Sequence, residues 1–102
     1  MTVSLQVIYQ ATEGSRFDHD YYENTHIPLM HQHMGAGILS TVVVKGVAGA
    51  RGTPAKFHAI ATAVFKDQAS LEEAMKAAGP VLADIPNYTD VQPEVLIGDV
   101  VG

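Results

Sequence analysis

Cysteine is absent from this 102-residue chain, and charged residues make up only 17% of it. Without cysteine there is no disulfide framework, no thiol nucleophile and no thiolate metal site. Eleven acidic against six basic residues give a net charge of -5, and no run of Lys or Arg occurs. Because nucleic-acid binding needs a basic surface to meet the phosphates, the sequence argues against a DNA or RNA partner.

Long hydrophobic runs are also missing. No stretch approaches the roughly 18 apolar residues of a membrane-spanning helix. The N-terminus, MTVSLQV, lacks both the basic start and the unbroken apolar region of a secretory signal. We therefore expect no membrane insertion and no secretion, and a cytoplasmic location.

Apolar residues are abundant instead, at 47% of the chain. A chain of this length forms one domain, and we assign residues 1–102 to it. Such a small domain buries only about 60–65% of the surface of its unfolded chain. The apolar excess therefore predicts that part of the surface is covered by a partner subunit.

Changes in hydrophobic period divide the chain into strands and helices. Apolar residues alternate in four segments, which predicts strands at residues 3–10, 38–47, 56–66 and 91–101. Helical spacing occupies residues 17–34, where Pro28 predicts a kink or break near Ile27 by pushing that residue away from α geometry. A second helix is predicted from the capping-box spacing of Ser70 and Glu73, with an interruption at Gly79 and Pro80.

The resulting order is β-α-β-β-α-β, an α+β fold of the ferredoxin-like type. Its four-stranded antiparallel sheet carries both helices on one face. The other face of such a sheet is polar when it meets water, but the second and third strands along the chain are apolar on both sides. We therefore predict a homodimer formed through the sheet faces.

Histidine is the unusual chemical feature, because four of the five histidines lie in the first helical segment. His19, His26 and His33 repeat every seven residues, but each step is roughly 10.5 Å along a helix at about 1.5 Å per residue. That separation is too great for one metal ion, and no two of the histidines have the i,i+4 spacing of a ligand pair on a helix. The sequence predicts no metal site.

His26 and Tyr22 are candidates for catalysis because they lie one helical step apart. A neutral imidazole exchanges protons near neutral pH, and a phenol donates a hydrogen bond to a developing enolate oxygen. The pair suits chemistry at an enolisable carbonyl. The alternative is structural, with a buried His and Tyr that satisfy each other at the edge of the helix.

Five further residues are candidates for the wall of a substrate pocket. They lie on the apolar side of the first helix, on the third strand and before the last strand: Phe17, Tyr21, Leu29, His58 and Tyr88. Packing in the core is the other explanation for the aromatic ones. Asp84 and Asp90 flank a turn, where acids cap or contact solvent. The glycines form no phosphate cradle, so no nucleotide cofactor is expected.

Two phrases resemble the EthD family, which is named for a protein linked to bacterial degradation of ethyl tert-butyl ether. Residues 17–29, FDHDYYENTHIPL, are similar to the family's first helix, F-D-x-x-Y-Y-x-x-x-H-x-P-L. Residues 84–93, DIPNYTDVQP, are similar to its approach to the last strand, with Tyr88 where Phe is common. In the helix motif the matching residues are Phe17, Tyr21, Tyr22 and His26.

The resemblance implies a dimeric α/β barrel with a pocket between sheet and helices in each subunit. Similar barrels include cofactor-free monooxygenases, muconolactone-type isomerases and polyketide cyclases. We thus expect a small, largely apolar ligand and no cofactor. His26 would act as general base or acid and Tyr22 as hydrogen-bond donor, in oxidative degradation or isomerisation of a carbonyl or phenolic compound. The alternatives are a non-catalytic carrier or stress-related binding protein, and an accessory subunit of a separate oxygenase.

Overall fold

Four strands form one antiparallel sheet in the computed structural model, which describes residues 1–102. They are β1 (Val3–Gln10), β2 (Ile38–Lys45), β3 (Phe57–Phe65) and β4 (Glu94–Asp99). Their order across the sheet is β2-β3-β1-β4, so the predicted ferredoxin-like fold is confirmed. β4 is shorter than the predicted strand and starts directly after Pro93, which has no N–H to give to the ladder.

The first helical segment is continuous but changes its hydrogen-bond register. It consists of α1 (His19–Tyr21), a π-helical turn (Tyr22–His26) and α2 (Ile27–Met34). The predicted departure of Ile27 from helical geometry is wrong, because its φ and ψ are -63° and -45°. Pro28 instead lies in the first turn of α2, where its missing N–H is tolerated. The N–H of Ile27 donates to the Tyr22 carbonyl, five residues back.

The second helical segment is two helices, α3 (Gln68–Lys76) and α4 (Gly79–Asp84). The capping-box interpretation of Ser70 is wrong. Asp67 is the N-cap, and its carboxylate accepts a hydrogen bond from the Ser70 N–H at 2.8 Å. Pro80 lies in the first turn of α4, so the interruption predicted at this proline starts a new helix.

The core lies between the helices and one face of the sheet. Its members come from alternate positions of β1 and β3 and from the inner sides of the helices: Val3, Leu5, Met34, Ala63, Phe65, Leu71, Ala74, Ala78 and Val81. On the opposite, open face, Val42 and Leu96 share one row with Gln6 and Thr62. Val42 is 60% exposed and Leu96 is 54% exposed. An apolar part of the sheet therefore meets solvent in the single chain.

A β-bulge interrupts the pairing of β1 with β3. Tyr9 pairs with Ala59, whereas Gln10 pairs with Phe57, so His58 has no direct partner on β1. Strict alternation predicts His58 on the open face with Ile60. The bulge instead lets its ring stack on Phe17, with centroids 5.2 Å apart and planes at 23°.

None of the helices has the length and hydrophobicity needed to span a bilayer.

Candidate active site

A cavity of about 100 Å³ lies between the helices and the sheet. Most of its wall is aliphatic, and its only titratable side chains are Tyr9, Tyr22 and His26. No Lys, Arg, Asp or Glu contributes to the wall. Apolar cavities with a few polar groups are the usual form of small-molecule sites.

His26 is buried on this wall and is held by Asp84. The Asp84 Oδ2 atom lies 2.9 Å from His26 Nδ1. Burial lowers the pKa of His26, and the hydrogen bond and charge of Asp84 offset part of that effect. The imidazole is therefore neutral at neutral pH and can accept a proton.

Asp84 is itself surrounded by donors at the end of α4. Its Oδ1 atom accepts hydrogen bonds from the Tyr21 hydroxyl at 2.6 Å and from the Asn87 amide at 2.9 Å. Burial acts to raise the pKa of this carboxyl, but the hydrogen bonds from Tyr21, Asn87 and His26 outweigh it and lower the pKa. Asp84 is consequently a carboxylate that fixes the orientation of His26.

Two tyrosines extend the hydrogen-bonded network from the Nε2 side of the His26 ring. Tyr88 Oη lies 3.1 Å from His26 Nε2. Tyr88 Oη also lies 2.6 Å from Tyr9 Oη. Tyr9 is on the cavity wall, whereas Tyr88 is behind it and has no exposed surface. A hydrogen-bonded chain thus joins the cavity to Asp84.

Tyr22 lies against His26 on the same side of the helix but forms no hydrogen bond with it. Its ring stacks on the ring of His26, with centroids 5.6 Å apart and planes at 16°. The π-helical turn places the two side chains one above the other, so that the rings meet face to face. The Tyr22 hydroxyl is buried and has no hydrogen-bond partner.

The other predicted pocket residues lie around the cavity and not on its wall. Phe17 packs edge-on against Tyr9. The His58 ring stacks on Phe17, and its Nε2 atom forms a 2.8 Å hydrogen bond with the Ser15 hydroxyl. Leu29 packs against the main core. Tyr21 and Tyr88 belong to the hydrogen-bonded chain described above. His26 and Tyr22 alone of the seven predicted site residues reach the cavity.

Asp84 and Tyr9 were not among the predicted site residues. The turn assigned to Asp84 is the end of α4, where the carboxylate points inward and is 9% exposed. One signal in the sequence pointed to Asp84. It shares helical spacing with Val81 and Tyr88, and the structure shows that all three residues are buried. An acid at the C-terminal end of a helix also opposes the helix dipole, which calls for a specific partner.

Metal-ligating side chains do not gather anywhere in the protein. No group of three or more His, Asp or Glu residues could hold an ion. His19 and His58 approach each other with ring centroids 6.4 Å apart, and no carboxylate completes a site between them.

Comparison with known proteins gives the family. The EthD domain matches residues 13–92, and the chain belongs to this family. An EthD-like protein from Ralstonia eutropha JMP134 is 37% identical, with a TM-score of 0.90 over 99% of this chain and 93% of that one. An ethyl tert-butyl ether degradation family protein from Bacillus halodurans C-125 is 25% identical, with a TM-score of 0.71 over 99% and 100% of the two chains.

More distant structures share the fold. SnoaB from Streptomyces nogalater, a cofactor-independent oxygenase, is 10% identical, with a TM-score of 0.69 over 99% of this chain and 94% of that one. No functionally curated protein matches the chain. The family and the fold are therefore established.

Proposed function

We propose that this EthD protein binds a small, neutral, largely apolar molecule in the cavity between helix and sheet and moves a proton on it. The main support for the proposal is the composition of the cavity wall. Most of it is aliphatic, but it includes the neutral imidazole of His26 and the phenol of Tyr22, which has no hydrogen-bond partner. His26 is the acid-base group, and Tyr22 is the hydrogen-bond donor to the ligand.

The wall determines the class of ligand. A charged ligand would lose its hydration without meeting an opposite charge, because no Lys, Arg, Asp or Glu lines the cavity. An apolar cavity of about 150 Å³ holds a benzene molecule. This cavity is smaller, at about 100 Å³, so its ligand should be no larger than one small ring.

The Tyr22 hydroxyl is an argument for a ligand with an oxygen atom. A buried hydroxyl without a partner destabilises a protein by roughly 1–3 kcal/mol. A carbonyl or hydroxyl oxygen of the ligand would accept its hydrogen bond and remove that cost. The same bond would stabilise negative charge on that oxygen as the proton leaves.

The proposed reaction is deprotonation of an enolisable carbonyl or a phenolic compound. The ligand's proton ends on His26, and the ligand becomes an electron-rich anion. Returning the proton to another atom completes an isomerisation, whereas attack of the anion on dioxygen, which takes up the electrons, begins an oxygenation. A protein of this fold, SnoaB, is a cofactor-independent oxygenase.

A homodimer through the open sheet faces is part of the proposal. Val42, Val44 and Leu96 on that face are 52–60% exposed in the single chain. Exposed apolar side chains gathered on one face are typical of a surface that associates with a partner. A second copy of the same face is the simplest apolar cover, and two such sheets form the dimeric α/β barrel.

The experiment has two parts. Binding of phenol, benzoate and benzylammonium is measured by calorimetry at neutral pH, and we expect phenol to bind and both ions to bind at least tenfold more weakly. Molecules that copurify with the protein are identified by mass spectrometry, and their turnover is compared in wild type, His26→Ala and Tyr22→Phe. Loss of turnover in both variants supports the proposal, whereas unchanged turnover in both shows that the catalytic assignment is wrong. Binding without any chemical change of the ligand would indicate a carrier.

A further inference from the structure

We propose that Tyr9 is the residue that exchanges the proton with the ligand, and that Tyr88 passes it on to His26. The inference rests on the proposed function and adds a catalytic residue to it. Both ring nitrogens of His26 are already engaged, Nδ1 by Asp84 and Nε2 by Tyr88. The imidazole therefore has no free nitrogen for a ligand, although its ring forms part of the cavity wall.

The donors and acceptors along this chain have one consistent direction. The Asp84 carboxylate can only accept, so His26 Nδ1 carries the proton and donates it. A neutral imidazole has one N–H, and its Nε2 atom must then accept from the Tyr88 hydroxyl. With its own proton used, Tyr88 accepts the hydrogen bond of Tyr9. The Tyr9 oxygen keeps free lone pairs for a donor.

Proton transfer along this path balances without any other reactant. The ligand's O–H bond breaks as its proton joins the Tyr9 oxygen, and the Tyr9 proton moves to Tyr88. The Tyr88 proton moves to Nε2 of His26, which becomes an imidazolium beside the Asp84 carboxylate. Burial raises the pKa of Tyr9 and Tyr88, so neither remains as a phenolate and the moves are concerted.

The two cavity tyrosines together define what the ligand must offer. Both residues lie on the cavity wall, where the Tyr9 oxygen has lone pairs left to accept a hydrogen bond and the Tyr22 hydroxyl has no partner. A single hydroxyl group satisfies both, because it donates one hydrogen bond and accepts another. The geometry points to a one-ring phenol or a small enol as the substrate class. An ether can use Tyr22 but not Tyr9.

Phenol and anisole are a matched pair of probes for this assignment, since anisole lacks the O–H. In calorimetric titrations of the wild type we expect a phenol preference that Tyr9→Phe reduces by about threefold to tenfold, the range of one neutral hydrogen bond. Tyr22→Phe should weaken both probes alike. Thr53→Val is the control and should keep the phenol preference, because it removes an exposed hydroxyl that bonds only to the Ala50 carbonyl in the loop after β2.

A ligand-free measurement separates this inference from the proposed function. The ¹⁵N chemical shifts of the His26 ring show which nitrogen carries the proton, and we expect Nδ1–H at neutral pH. A proton on Nε2 overturns the proposed role of Tyr9, and so does a phenol preference that Tyr9→Phe leaves unchanged. Neither result contradicts the proposal that the cavity binds a small apolar ligand. If neither probe binds the wild type, the proposed function falls and the substrate class falls with it.

Discussion

Asp84 lies 58 residues after His26 in the chain, yet its Oδ2 atom is 2.9 Å from the Nδ1 atom of His26. Both side chains are buried, at 9% and 5% exposure. Contact between a carboxylate and a neutral imidazole fixes the tautomer and raises the affinity of the ring for a proton. Asp84 therefore holds a ring that forms part of the cavity wall, although Asp84 itself does not line the cavity.

Replacing Asp84 with Asn should lower the pKa of His26 further. The charge and hydrogen bond of Asp84 are what offset the effect of burial on that pKa. We also expect a loss of roughly 1.5–3 kcal/mol in the free energy of unfolding, the usual range for a hydrogen bond to a charged group. NMR titration of the His26 ring measures the pKa. The exposed Asp99 supplies the control variant Asp99→Asn, and an equal pKa in Asp84→Asn and wild type would contradict this role.

Removing a hydroxyl should have opposite effects on stability at Tyr22 and Tyr88. Tyr22→Phe deletes an unpartnered buried hydroxyl, so the free energy of unfolding should rise by about 1 kcal/mol while ligand binding weakens. Tyr88→Phe deletes two hydrogen bonds and should lower it by about 2 kcal/mol. Urea denaturation at one fixed protein concentration measures both. A loss of stability in Tyr22→Phe would mean that its hydroxyl has a partner.

Stability should decline as the pH falls below about 6.5, the usual pKa of histidine in an unfolded chain. The lowered pKa of His26 means that the folded protein binds the proton more weakly than the unfolded chain does. His19 contributes in the same direction, because burial and the nearby Lys45 and His58 lower its pKa. In a His19→Gln background, His26→Gln should therefore flatten the remaining decline. An unchanged slope there would show that His26 is not buried as a neutral ring.

Charge placed on the open sheet face should dissociate the proposed dimer. Val42→Lys and Leu96→Lys would each bury an ammonium group against the partner's sheet, and we expect the dissociation constant to rise at least tenfold. Val47→Lys is the control, because Val47 is 87% exposed in the loop after β2. Sedimentation velocity measures the assembly. A wild-type monomer at micromolar concentration would contradict the dimer.

The strands and their order followed from the sequence because alternation and helical spacing are local signals. Val3 to Gln10 is a strand in both the prediction and the structure. The details that failed depend on backbone register. The π-helical turn at Tyr22–His26 and the bulge beside His58 each shift a side chain by one position, and no periodicity in the residues reports that shift.

The site was only partly predictable for a related reason. His26 and Tyr22 could be found from their spacing within one helix, and both reach the cavity. Tyr9, Asp84 and Tyr88 are linked to His26 by hydrogen bonds between residues 58 to 79 positions apart, which depend on how the helices pack. Tyr9 also follows the strand pattern of a core residue, so nothing local in the sequence distinguishes it from a residue that only packs.

The most direct test of the central claim is a crystal structure of the protein with phenol. We expect phenol inside the cavity lined by Met30 and Val81, with its oxygen within hydrogen-bond distance of Tyr9 Oη or Tyr22 Oη. His26 should keep its contacts with Asp84 and Tyr88 in that complex. An empty cavity at saturating phenol, or phenol bound with its oxygen away from both tyrosines, would contradict the account.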